Sequence, residues 1–189
     1  MGKVPSFTIT IKSRMNTPIA AWLYSLKHYL LMSVFLSSPD RLPNSNKVIA
    51  INILAYFSLG LALIDENRSF ETVSLLLVIE IIMLAAIFYA GLLFVRKPLR
   101  FIQSYSAALG VNLILTAISI PIYDIILTMR DEAGNVSQLG ISLEFLLIFW
   151  SLSVLSLILK RTFECSTVFA AMISFNYFLV YQLIAYGIL

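Results

Sequence analysis

The chain has 189 residues, 60% of them apolar and 12% charged, with a mean hydropathy of +0.92 and a formal charge of +3. Soluble domains carry about 45–50% apolar residues and about 25% charged ones, so a water-soluble fold is excluded and lipid is the implied solvent. The small net charge argues against a nucleic-acid partner, and one cysteine with one histidine rules out a disulfide framework and a cysteine- or histidine-rich metal site.

Residues 1–17 are polar and hold Lys3, Lys12 and Arg14. Thr17-Pro18 is a helix start, with Thr17 as cap and Pro18 at the first helical position. The run that follows, Ala20 to Leu36, is split by Lys27-His28, which argues against a cleaved signal peptide. It is expected to be an amphipathic helix at the cytoplasmic interface or packed under the bundle. A full crossing would bring Lys27 near mid-bilayer, at about 2.5–3.5 kcal/mol. Residues 1–47 thus form a cytoplasmic N-terminal segment. Pro39-Asp40-Arg41-Leu42-Pro43 breaks the chain before the first span.

Five apolar segments follow, at 48–64, 72–95, 105–129, 139–159 and 167–189, and make up a transmembrane domain over 48–189. They are apolar all round and mostly exceed twenty residues, which is helical rather than barrel-like. The expected fold class is all-α, a polytopic membrane bundle of five transmembrane helices preceded by the amphipathic helix. Eleven of the thirteen basic residues fall before the first span or in the loops after the second and fourth. Cytoplasmic loops retain Lys and Arg, so the N-terminus is expected inside and the C-terminus outside.

Three carboxylates interrupt these spans: Glu80, Asp124 and Glu144. Counted from the segment ends they lie roughly 6–12 Å from the outer boundary, at about 1.5 Å per residue. Asp124 shares a helical face with Pro121, Ala117, Gly110 and Ser106, Glu144 with Gly140 and Ser151, and Glu80 with Gly91. Small residues favour close helix approach, so these faces are expected to point into the bundle. No Lys or Arg lies within the five spans to pair with the acids. They form a candidate polar cluster for a cation or proton path. The competing reading has Asp124 and Glu144 reaching headgroup water, with Glu80 a neutral acid bonded to a neighbouring helix. Pro121, with Thr116 and Ser119 before it, is a candidate kink. Ala86-x-x-x-Ala90 is a small-residue contact face. Asn67-Arg68-Ser69 and Asn135-Val136-Ser137 fit the glycosylation pattern.

Metal-ligand spacing, phosphate-binding loops and nucleophile motifs are absent, so no enzyme activity and no cofactor are expected. Pro39 to Pro43 before the first span, Phe101-Ile102-Gln103-Ser104 with Ala107-Ala108-Leu109-Gly110 opening the third, and Trp150 to Lys160-Arg161 in the fourth resemble stretches of Yip1-like membrane proteins. The layout is more closely similar to that of small bacterial inner-membrane proteins of the same type, over residues 30–189. The Asp-Leu-x-Gly-Pro signature of the eukaryotic members is absent, so their vesicle-trafficking role is not implied. The resemblance implies a bacterial inner-membrane location. Two functions follow as expectations. One is a non-enzymatic scaffold or assembly factor whose partners are the lipid bilayer and other membrane proteins or further copies of itself. The other is a small oligomeric transporter or channel subunit using Glu80, Asp124 and Glu144.

Overall fold

The computed structural model describes residues 17–62, 69–128 and 137–188, and among them every regular element is a helix. Six α-helices run in order: α1 Pro18–Ser33, α2 Asn46–Leu61, α3 Phe70–Phe94, α4 Phe101–Thr128, α5 Gln138–Phe163 and α6 Thr167–Ile188. Short 3-10 turns at Pro39–Arg41 and Pro98–Arg100 precede α2 and α4.

Local chemistry sets the helix ends. Thr17 Oγ1 accepts the Ala20 amide at 3.3 Å and Pro18 opens α1, while Ser69 and Ser137 cap α3 and α5 through the Thr72 and Gly140 amides. Those two serines also end the glycosylation patterns, whose Asn67 and Asn135 lie outside the described residues. At their C-termini α1, α3 and α5 stop in the same way. Phe35, Arg96 and Glu164 take left-handed φ values of 67°, 58° and 53°, and the next amide reaches back five residues to Leu31, Leu92 and Lys160.

Among the described residues four helices are long and apolar enough to cross a membrane, spanning Phe70–Phe94, Pro98–Ile126, Gln138–Phe163 and Thr167–Ile188. The first of the expected segments is helical as α2, but its 16 residues cover only about 24 Å of the roughly 30 Å of hydrocarbon. α4 is the centre of the assembly. α1, α2, α3 and α5 all pack on it, and α6 joins through α5 and α3.

The core is concentrated at one end, where α1, α3 and α5 finish and α2, α4 and α6 begin. It includes Tyr29, Met32, Leu84, Phe88, Leu92, Ala107, Leu109, Val154, Leu159 and Ala170. Backbones approach closely here. A Cβ on Gly91 would overlap the Phe163 ring, and one on Gly110 the Tyr29 ring.

The helix expected at the cytoplasmic interface or packed under the bundle is present as α1, and one of its faces packs against α2 and α4. Its Ser25 and Tyr29 are fully buried and Met32 nearly so. Trp22 and Leu26 share a groove with Ala55 and Leu59 of α2 and with Leu113 and Ala117 of α4. Tyr29 meets Ser106, and the Ser33 carbonyl meets Trp150. α1 therefore runs antiparallel to both α2 and α4 along the side of the bundle, with Ile19, Leu23 and Leu30 on its exposed face. Its buried face reads as polar in the sequence because Ser25, His28, Tyr29 and Ser33 bond within the protein.

Charge separates along the bundle axis. Arg41, Lys47, Arg96, Lys97, Arg100, Lys160 and Arg161 lie at the core end, where Glu164 pairs with Lys97 at 2.5 Å and Arg100 at 2.9 Å. Among the described residues, the charged groups near the opposite end are the acids Glu71, Asp124 and Glu144.

Candidate functional site

Two polar assemblies occupy different heights of the bundle. The lower one joins α1, α2 and α4. Asn52, fully buried on α2, accepts the Trp22 indole N–H at 2.9 Å. Its amide nitrogen donates to the Tyr29 hydroxyl at 2.8 Å and lies 3.2 Å from both the carbonyl and the hydroxyl of Ser106. Tyr29 and Ser106 hydroxyls are 2.7 Å apart. Donors and acceptors match, as a polar group in lipid surroundings requires.

Beneath this knot the connection between α1 and α2 is held from three sides. Trp150 donates to the Ser33 carbonyl at 2.8 Å, Arg161 donates to the Ser37 carbonyl, and Gln103 donates to the Leu42 carbonyl at 2.8 Å. His28 Nδ1 lies 3.0 Å from the Ser37 hydroxyl. Gln103, Trp150 and Arg161 belong to motif stretches noted in the sequence, and all three converge on the segment before the first span. The clamp fixes backbone carbonyls.

The upper assembly is a cavity of about 270 Å³ between α2, α3, α4, α5 and α6. Glu80 enters from α3 and Tyr56 from α2. Asn112, Thr116 and Ser119 line it from α4, Ser151 from α5, and Tyr177, Tyr181 and Gln182 from α6. Leu115, Leu147, Ile148, Leu152, Leu155 and Phe178 complete the wall. Glu80 points inward because it follows Leu77 and precedes Leu84, Phe88 and Leu92 on the buried face of α3. It lies ten residues into that helix, about 15 Å along it. Tyr56, 5% exposed, is hydrogen-bonded to the Glu80 carboxyl. The Tyr177 hydroxyl is buried in the cavity wall with no hydrogen-bond partner. No Lys, Arg or His lines this space.

Of the three acids read from the sequence, the cavity takes Glu80 alone. Asp124 and Glu144 are exposed and line no part of it. The shared-face argument holds for Ser106 and Gly110, which α1 covers. α1 is only 16 residues long, so the same face of the 28-residue α4 emerges uncovered by the time it reaches Pro121 and Asp124. Pro121 lies in continuous helix, and the Ser119 hydroxyl bonds back to the Thr116 carbonyl at 2.8 Å. Ala86 and Ala90 face outward.

The aromatic side of the site, Tyr56, Tyr177 and Tyr181, lies beyond the acids expected from the sequence. Tyr56 is four residues beyond Asn52 on one face of α2, and Tyr177 and Tyr181 are four apart on α6. That spacing was the available signal. Among the described residues no three His, Cys, Asp or Glu side chains gather as a metal site. No protein-family model matches the chain, and neither a curated protein nor a solved structure does.

Proposed function

We propose that this is an integral membrane protein without enzymatic activity that binds a small positively charged solute, or a proton, in its intramembrane cavity as a transporter or channel subunit. One observation carries the reading: a carboxyl group faces a polar cavity at mid-height of the bundle with no basic residue lining it. Intramembrane acids are costly, and such groups mark ion and proton paths. A scaffold needs contact surfaces but no such cavity. The exposed apolar side chains of α6, such as Phe169, Phe175, Leu183 and Tyr186, are met equally well by lipid and by a partner.

In this reading α2 crosses together with α3 to α6, giving five spans. The end bearing Arg41, Lys47, Arg96, Lys97, Arg100, Lys160 and Arg161 faces the cytoplasm of a bacterial inner membrane, and α6 ends outside. The N-terminus is then cytoplasmic.

The test is flux. Proteoliposomes loaded with a pH-sensitive dye and driven by a potassium diffusion potential are expected to admit protons or external cations faster than empty vesicles. Glu80→Gln is expected to remove the difference. Equal flux in the wild type and Glu80→Gln contradicts the reading.

A further inference from the structure

The cavity is too large and too apolar on one side for a bare metal ion. Its volume of about 270 Å³ equals that of roughly nine liquid waters. A dehydrated sodium or potassium ion would leave most of it empty. A metal site would also want several charged ligands, whereas here one carboxylate stands alone and no cluster of three ligating side chains occurs among the described residues.

The walls are uneven. Glu80 is accompanied by the aromatic side chains of Tyr56, Tyr177, Phe178 and Tyr181, and the facing stretch of α5 is aliphatic apart from Ser151. Aromatic faces attract ammonium groups through the ring quadrupole, most strongly when both are out of water. Aliphatic wall suits carbon substituents on the nitrogen, which a hydrated metal ion lacks. The buried Tyr177 hydroxyl has an unfilled hydrogen-bonding position, to be met by a polar group of a guest or by water.

We propose that the cavity is a site for a small organic ammonium ion, with Glu80 as counter-charge and the aromatic groups of Tyr56, Tyr177, Phe178 and Tyr181 around the alkylated nitrogen. The proposal rests on the cation-binding reading above and narrows it to one chemical class. Entry of the cation supplies the positive charge the cavity lacks. The guest is a free solute rather than a lipid headgroup, because the cavity lies at mid-height of the helices.

The test uses purified protein in nanodiscs of phosphatidylglycerol, which carries no ammonium group. Intrinsic fluorescence and the melting midpoint are followed during titration with tetramethylammonium chloride, and with sodium and potassium chloride at matched ionic strength. Wild type is expected to show saturable binding of tetramethylammonium only. Glu80→Gln is expected to weaken it at least about ten-fold, and Tyr177→Leu several-fold with recovery in Tyr177→Phe. Unchanged melting of the empty variants shows that they fold, and Glu80→Asp provides a second acid should Glu80→Gln not fold. Adding phosphatidylethanolamine leaves the affinity unchanged for a free-solute site. Competition by that lipid would keep the ammonium chemistry and overturn the choice of source. Glu80-dependent binding of sodium, potassium or protons without tetramethylammonium overturns the ammonium inference and leaves the cation site standing. Absence of Glu80-dependent binding of any cation overturns both.

Discussion

The two polar assemblies of this bundle use the same kinds of residue to opposite ends. At the core end, Asn52, Tyr29, Trp22 and Ser106 hydrogen-bond to one another. Above them Glu80, Tyr56, Asn112 and Tyr177 stand around a void, and one hydroxyl has no partner. The difference is the reach of α1. It fills the space beside α2 and α4 at the level of Asn52, and none of its residues lines the cavity. Where a helix plugs the bundle, polar side chains become cross-links. Above it, they become a lining.

The sharpest way to break this comparison is to push α1 out. Gly110→Leu drives a side chain into the Tyr29 ring, and overpacking of this kind costs about 1–3 kcal/mol or more. Denaturant unfolding in detergent is expected to show a large loss of stability with the lower knot disrupted.

Next in size is a pair of matched amide replacements. Asn52→Leu removes the node of the knot and strands the Trp22 N–H, at about 1–3 kcal/mol, since membrane hydrogen bonds average about 0.6 kcal/mol each and stranded groups cost more. Asn112→Leu, in the cavity, is expected to cost less than about 0.5 kcal/mol or to stabilise, because open space receives the side chain. Equal losses at the two positions would remove the distinction between plug and lining.

Asp124→Asn and Glu144→Gln probe the acids that stay outside the cavity. Each is expected to change stability by no more than about 0.5 kcal/mol and to leave cation binding unaltered. Loss of binding in either variant would restore the three-acid cluster.

The smallest effect is electrostatic and lies at the basic end. Lys97, by hydrogen bond and by charge, and then Arg100 hold the Glu164 carboxyl below its ordinary range. A depressed folded-state value means the native state favours the charged form. The stabilisation is therefore present above the unfolded carboxyl pKa and fades as pH falls through the folded one. Glu164 is well exposed, so solvent and salt screen the pair. Stability of wild type and Glu164→Gln is expected to differ slightly at neutral pH and to converge in acid, more so at low salt.

The long helices were legible because long apolar runs are bounded by charged or proline-bearing stretches, and α3, α5 and α6 lie within a few residues of their expected limits. Glu80 was legible as an inward acid because it shares a helical face with the small residue Gly91. The role of α1 was not. Hydropathy counts Ser25, His28 and Tyr29 as surface-seeking, whereas here their polar atoms are answered by Ala21, Ser37 and Ser106. Nor could periodicity show that one face of α4 is covered at Gly110 and bare at Asp124. That depends on the length of another helix.

The most direct test is chemical access to the two levels. In a Cys165→Ser background, Ser119→Cys and Ser151→Cys place thiols on the cavity wall, and Ser106→Cys places one in the knot. A small water-soluble methanethiosulfonate ammonium reagent is expected to modify the two cavity cysteines, more slowly when tetramethylammonium is present, and to leave Ser106→Cys unmodified. Modification of Ser106→Cys at a comparable rate, or inertness of both cavity positions, would contradict the account of a sealed lower knot beneath an accessible cation site.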